Sequence, residues 1–418
     1  MNPIRQNARV LTAALTGTAV EFYDFYVFAT ATALVFGALF FPASSPEAQG
    51  VQAFMVFGIA FLARPIGAVA FGHFGDRVGR KATLVASLLL MGGSTLLVAF
   101  LPGYASAGFV APLLLCLLRF GQGFGLGGEW GGAALLAVEN APKGWESRFG
   151  AAPQLGAPVG FLAANGLFLV LGMNLSDADF LSWGWRVPFL ASIVLVAIGL
   201  WVRLNLSETP AFREALAHRP PPAVPLGTLL RHHWGAVLAG SAGVVACFAL
   251  FYLSTAFALD LGTRQLGYGR EQFLLLQLGA NFFLALGIVL AATLADRFGA
   301  ARVLLVGALC TIVVGLLFGP GLQSGSAQAV FATLSLALFT MGFVYGPLGG
   351  WLAGLYPVEV RYSGVSVAFN AGGILGGAVT PLLAKQMTNI GMGGSIGLLL
   401  SAAGILTFVG VSLARSAR

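Results

Sequence analysis

Twelve apolar runs, each long enough to cross a lipid bilayer, dominate this chain: 11–41, 53–74, 83–102, 109–138, 150–172, 186–205, 233–261, 272–295, 302–320, 327–353, 363–386 and 393–414. A helix needs about 20 predominantly apolar residues to span the hydrocarbon core. Runs of this length without alternation do not fit barrel strands, so only helices satisfy the backbone there. The sequence therefore predicts an all-α integral membrane protein with twelve transmembrane helices. Composition agrees: of 418 residues, 58% are hydrophobic and 9% charged, whereas a soluble domain carries about 25% charged residues. The first run follows Arg5 and Arg9, is too long for a signal-peptide core and ends in no small-residue cleavage site, so it reads as a retained span.

Several function classes drop out at once. The formal charge of +7 comes with no basic stretch long enough for a phosphate-binding patch, which argues against nucleic acid. Cys116, Cys247 and Cys310 sit in apolar stretches with no paired or metal-ligand spacing. Of the four histidines, His218, His232 and His233 share one polar loop, so no His-rich centre is expected. No G-x-S-x-G, HExxH or Walker sequence is present, and neither catalytic nor metal-binding residues are expected. Gly123, Gly125 and Gly128 match G-x-G-x-x-G, but they lie inside an apolar span with no preceding strand. They read better, with Gly342/Gly346 and Gly372/Gly376, as close helix contacts.

Basic residues give the topology. Sixteen fall on one side, among them Arg5, Arg77, Arg80, Lys143, Arg148, Arg231, Arg297, Arg361 and Arg415; only Arg186, Arg264, Arg270 and Lys385 fall on the other. That bias places both termini and the 206–232 loop in the cytoplasm. The loop divides the chain into a six-helix bundle over 1–205, a linker over 206–232 and a second bundle over 233–418. Pro220-Pro221-Pro222 stops any helix begun at Ser207, leaving no room for a soluble catalytic domain.

An internal repeat matches this division. Asp76-Arg77-Val78-Gly79 after the second span is echoed by Asp296-Arg297-Phe298-Gly299 after the eighth, 220 residues on. Glu146-Ser147-Arg148-Phe149 after the fourth is echoed by Glu359-Val360-Arg361-Tyr362 after the tenth, 213 residues on. Two similar offsets in the same order indicate duplicated halves, as in many secondary transporters.

The segment 72–81 fits the G-x-x-x-D-R-x-G-R-K pattern of the major facilitator superfamily. More specifically, the chain resembles the metabolite:proton symporters within it. The matching segments include Val20–Phe25, Phe61–Gly67, Gln122–Trp130, Trp183–Phe189, Glu208–Phe212 and Val360–Gly364. Around Phe71–Lys81, Gly127–Pro142 and Thr255–Phe273 it is most similar to the shikimate and organic-acid carriers. The resemblance implies the major facilitator fold of two six-helix bundles and no cofactor beyond a proton gradient. It also implies a bacterial inner-membrane location. Gating residues would be Asp76, Arg77 and Arg80, with Asp296, Arg297 and Arg361 in the second half. Ala300 and Ala301 replace the basic pair of the second loop, a departure that would leave the two gates unequal.

Ionisable residues at membrane depth are costly, about 2.5–3.5 kcal/mol each on insertion scales, and by default mark function. Glu21 and Asp24 are three apart and share a helical face. Arg119, Gln122 and Glu129 form one stripe on the fourth span, with about 15 Å between Arg119 and Glu129. Asp24, Glu129 and Glu21 are the proton-coupling candidates. Arg119 could pair with Asp24 or Glu21, or present its fork to a substrate carboxylate. Further substrate contacts are expected from Gln122, Tyr23, Tyr26, Trp130, Gln277, Asn281 and Asn370, with Tyr252 and Tyr345 as further aromatic candidates. Arg64 reads equally as a packing pair or a substrate contact. Asp260 and Arg264 are expected to form a local ion pair, and Lys385 to snorkel to the interface.

These residues fit proton-coupled uptake of a small, anionic organic acid, such as a shikimate-like, keto or tricarboxylic metabolite, by a monomeric alternating-access carrier. Alternatives are a zwitterionic osmolyte (betaine or proline) symporter and a drug:proton antiporter. An enzyme is not expected, because no nucleophile–base set lies within the spans.

Overall fold

The computed structural model describes residues 7–78, 80–127, 129–205, 225–357 and 360–416. Side chains at 9–10, 72–84, 202–205, 225–226, 228, 230 and 415–416 lie outside that description, as do the linker residues 206–224. Among the described residues there is no strand.

Twelve helices correspond to the twelve apolar runs. Eleven are long and apolar enough to cross a membrane: α1 Leu11–Phe40, α2 Pro46–Phe71, α4 Val110–Glu139, α5 Glu146–Asn174, α6 Gly184–Trp201, α7 Trp234–Arg264, α8 Arg270–Phe298, α9 Ala300–Leu322, α10 Ala327–Ala353, α11 Arg361–Asn389 and α12 Gly393–Ala414. The twelfth, α3 Arg80–Val98, carries a shorter apolar stretch, Val85–Val98. A helix at Pro225–His232 occupies the end of the expected linker.

Sequence chemistry accounts for the joints. Ser326 caps the start of α10 by accepting the Ala329 N–H. Gly299 separates α8 from α9 with φ of 93°, a left-handed conformation that favours glycine.

Each half packs within itself, α1 on α5 and α2 on α4 in the first, α8 on α10 and α7 on α12 in the second. The halves meet where α5 packs on α8 and α2 on α11, and also where α10 packs on α4 and α5. Small residues allow the closest approaches. A methyl group at Gly123 would overlap the backbone of Ala60, and one at Gly342 the backbone of Gly287. Large apolar side chains such as Leu62, Leu117, Val289, Leu316 and Ile405 face outward, as a lipid-facing surface requires.

Among the described residues three single π-turns interrupt the spans: Thr32–Phe36 in α1, Leu253–Phe257 in α7 and Ile374–Val379 in α11. The first two are 221 residues apart, close to the spacing of the repeated aspartates. Such widened turns disturb the regular backbone ladder and recur at functional sites.

Candidate functional site

Arg119 is fully buried about a third of the way along α4. Its Nε donates to the Phe57 carbonyl at 3.2 Å, one terminal nitrogen donates to the Gln122 side-chain oxygen, and the other has no hydrogen-bond partner. Three rings surround the guanidinium, with Phe28, Phe25 and Phe57 centroids at 4.1, 4.2 and 4.8 Å. The expected pairing with Asp24 or Glu21 is absent: among the described residues Arg119 meets no carboxylate.

Asp24 is also fully buried, and neither carboxylate oxygen has a hydrogen-bond donor. The Thr95 and Ser192 hydroxyls lie beside it without reaching hydrogen-bond geometry. Gln122 connects the Arg119 guanidinium to the backbone of Asp24. Its amide nitrogen donates at 2.9 Å both to the Asp24 backbone carbonyl and to Thr95 Oγ1, while its oxygen accepts from Arg119. The +3 spacing of Arg119 and Gln122 thus forms a direct contact.

A small cavity, about 20 Å³, is lined in part by Glu21, Arg64, Trp130 and Asn370. It has room for roughly one water. The Arg64 guanidinium sits over Phe25 and Phe61, at 4.6 and 4.9 Å, so Phe25 has a buried guanidinium near it from both Arg64 and Arg119. Glu129 accepts a hydrogen bond from Ser87 within the first half. Trp130 stacks on Phe369 at 3.5 Å and donates to Tyr345 Oη at 3.1 Å, which ties the halves together.

Other candidates serve packing in this conformation. Tyr23 donates to the Pro188 carbonyl at 2.8 Å. Tyr26 is buried among Phe22, Phe161 and Phe251. Gln277 holds the π-turn of α7 through the carbonyls of Ser254 and Thr255, Asn281 reaches the Pro158 carbonyl, and Asn370 reaches that of Gly127. Sequence reasoning missed Gln154, which is fully buried on α5 with neither amide atom partnered. A neutral amide in an apolar run gives little signal beside charged neighbours.

Both ends of the bundle are tied. At one end Asp296 accepts the backbone N–H groups of Ser147 and Arg148 at 2.7 and 3.2 Å, with the Arg148 guanidinium 3.2 Å away. Arg361 lies 3.6 Å from Glu139 at the same end. Arg297 is exposed and stacks over Phe298, so it joins no such contact. The side chains of Asp76, Arg77 and Arg80 lie outside the described residues. At the other end Arg270 lies 3.3 Å from Asp177, and Arg264 donates to the Ala33 carbonyl in the π-turn of α1 at 3.4 Å. Arg264 and Asp260 form the expected pair at 2.9 Å. Lys385 does not snorkel: it is buried, and its ammonium meets the other oxygen of Asp260. Two cations on neighbouring elements leave that carboxylate no reason to release the lysine to the interface.

Among the described residues no three His, Cys, Asp or Glu side chains gather as metal ligands. What the fold offers instead is a central set of buried charges between two six-helix sets, with ties at both ends. That arrangement defines a multi-pass membrane transporter, and the chain belongs to the sugar (and other) transporter family, whose model matches residues 9–218 and 226–413. It is a major facilitator carrier of small molecules rather than an enzyme.

The relatives are metabolite carriers. The chain is 48% identical to the inner membrane metabolite transport protein YhjE of Escherichia coli, over 100% of this chain and 96% of that protein. It is 39% identical to the shikimate transporter of the same organism, over 91% of this chain and 87% of that one. The partially occluded, inward-open form of the xylose transporter XylE shares the fold, with a TM-score of 0.77 at 15% identity over 96% of both chains.

Proposed function

We propose that this carrier takes up a small organic acid together with protons through the bacterial inner membrane, as a monomer with both termini in the cytoplasm and the proton gradient as its energy source. The observation that carries the reading is the pair of fully buried groups, Asp24 and Arg119, each lacking a counter-ion among the described residues, with Gln122 bonded to the Arg119 guanidinium and to the Asp24 backbone. Unpaired charge is costly in low dielectric. A proton on Asp24 and a carboxylate on Arg119 would remove both costs, which links the two binding events.

In this reading the free terminal nitrogen of Arg119 receives the substrate carboxylate, and Asp24 carries the proton. Glu21 and Glu129, both buried in the first half, are the remaining proton candidates. The ties at each end act as gates that break in turn as the halves rock. A quaternary ammonium substrate would need open aromatic faces. Here the rings around the site already face Arg119 and Arg64, which favours an acid over a betaine.

A proteoliposome assay tests this. With a lumenal pH dye, external shikimate-like, keto or tricarboxylic acid should acidify the lumen of loaded vesicles and leave empty vesicles unchanged. Acidification by betaine alone would give the osmolyte reading. Proton release from acid-loaded vesicles on adding a lipophilic cation, with every acid silent, would give the antiporter reading.

A further inference from the structure

We propose that Ser254, Gln277 and Asn281 make this carrier selective for acids that also bear hydroxyl groups; the inference rests on the organic-acid reading above. The argument begins with the amide orientations. Gln277 Nε2 lies 2.9 and 2.8 Å from the carbonyls of Ser254 and Thr255, and Asn281 Nδ2 lies 2.9 Å from that of Pro158. Turning either amide over would set oxygen against oxygen, so the nitrogens must face these carbonyls.

Both side-chain oxygens are thereby left over. Gln277 Oε1 and Asn281 Oδ1 have no donor, and neither has Ser254 Oγ any partner. All three residues are at least nine-tenths buried, with exposures of 0% for Ser254, 1% for Gln277 and 5% for Asn281. Gln277 and Asn281 are one turn apart on one face of α8, and Gln277 touches the turn that contains Ser254. Asn281 reaches α5 across the seam, so parting the halves there opens this face.

Buried acceptors without donors call for a ligand that brings donors. Carboxylates, keto groups and quaternary ammonium groups bring none, whereas hydroxyls do. The substrate would then lie across the halves, its carboxylate toward Arg119 and its hydroxyls toward α7 and α8. A site built to bond a hydroxyl rejects the analogue lacking it far more strongly than an apolar pocket distinguishes sizes.

Titration calorimetry on the detergent-solubilised full chain tests this with matched ligands: shikimic acid against cyclohex-1-enecarboxylic acid, malate against succinate, and glycine betaine. The hydroxylated member of a pair should bind at least about a hundredfold more tightly. Ser254→Ala, which removes an unpartnered hydroxyl and no hydrogen bond of its side chain, should narrow the ratio roughly tenfold, as should Asn281→Ala. Equal binding of the two members overturns the selectivity and leaves the organic-acid reading standing. Binding of betaine with silence from every acid overturns both. A ratio unchanged in both variants overturns the assignment to these residues.

Discussion

Asp24 and Arg119 are both fully buried, carry opposite formal charges and do not meet; Gln122 is the side chain they share. A permanent ion pair would stabilise the closed carrier and resist both proton and substrate. In the proposed cycle, keeping the two groups apart would leave each able to take its own ligand, while a common neighbour would let occupancy of one affect the other.

Asp24→Asn should therefore abolish gradient-driven accumulation, because the amide cannot carry the proton. Exchange of substrate across the membrane should survive, since Arg119 keeps its place. Parallel uptake and counterflow assays separate these activities; full accumulation by the variant would transfer proton coupling to Glu21 or Glu129.

Arg119→Lys should weaken carboxylate binding by tenfold to a hundredfold, about the worth of one charge-assisted hydrogen bond. A point charge cannot reach Phe57, Gln122 and a substrate at once, as the fork does. Titration of the purified variant reads the loss directly, and an unchanged affinity would place the substrate elsewhere.

Asp296→Asn should loosen one end of the bundle. The amide can still accept an N–H from Ser147 or Arg148, but the attraction to the Arg148 guanidinium disappears. Spin labels at the exposed positions Asn140 and Arg302 should show a larger share of long distances in the variant. Identical distance distributions would mean that this contact does not hold the gate.

The Lys385–Asp260–Arg264 group gives an ordered stability prediction. Asp260→Asn leaves two cations without their shared carboxylate and should cost about 3–5 kcal/mol. Lys385→Gln should cost less, because Arg264 still balances Asp260. Thermal unfolding in detergent ranks the two, and the reverse order would contradict the triad.

Much of this architecture is legible in the residues, and the reasons are physical. Apolar length specifies the spans, since no other element satisfies a backbone in lipid. The Asp76/Asp296 repeat announces the duplication. Arg119 and Gln122 can be placed on one stripe by helical spacing alone. The partners of Lys385 could not be read this way, because snorkelling and burial differ only in whether a carboxylate waits on another helix. The π-turns are equally silent: Leu253–Phe257 holds neither glycine nor proline to mark a break in the helix. Nor does the sequence reveal that Arg119 meets rings instead of a carboxylate, which depends on how α1 and α2 bring Phe25, Phe28 and Phe57 together.

The halves have diverged in what they keep at depth. Asp24, Glu21, Arg64, Arg119 and Glu129 all belong to the first six helices, and the leftover amide and hydroxyl acceptors on α7 and α8 to the last six. Among the described residues, Asp24 and Arg119 have no opposite charge facing them from the second half. Opposite charges that face each other across the halves stand at the rims, as in Arg148–Asp296, Arg361–Glu139 and Arg270–Asp177, where water can take over as they part.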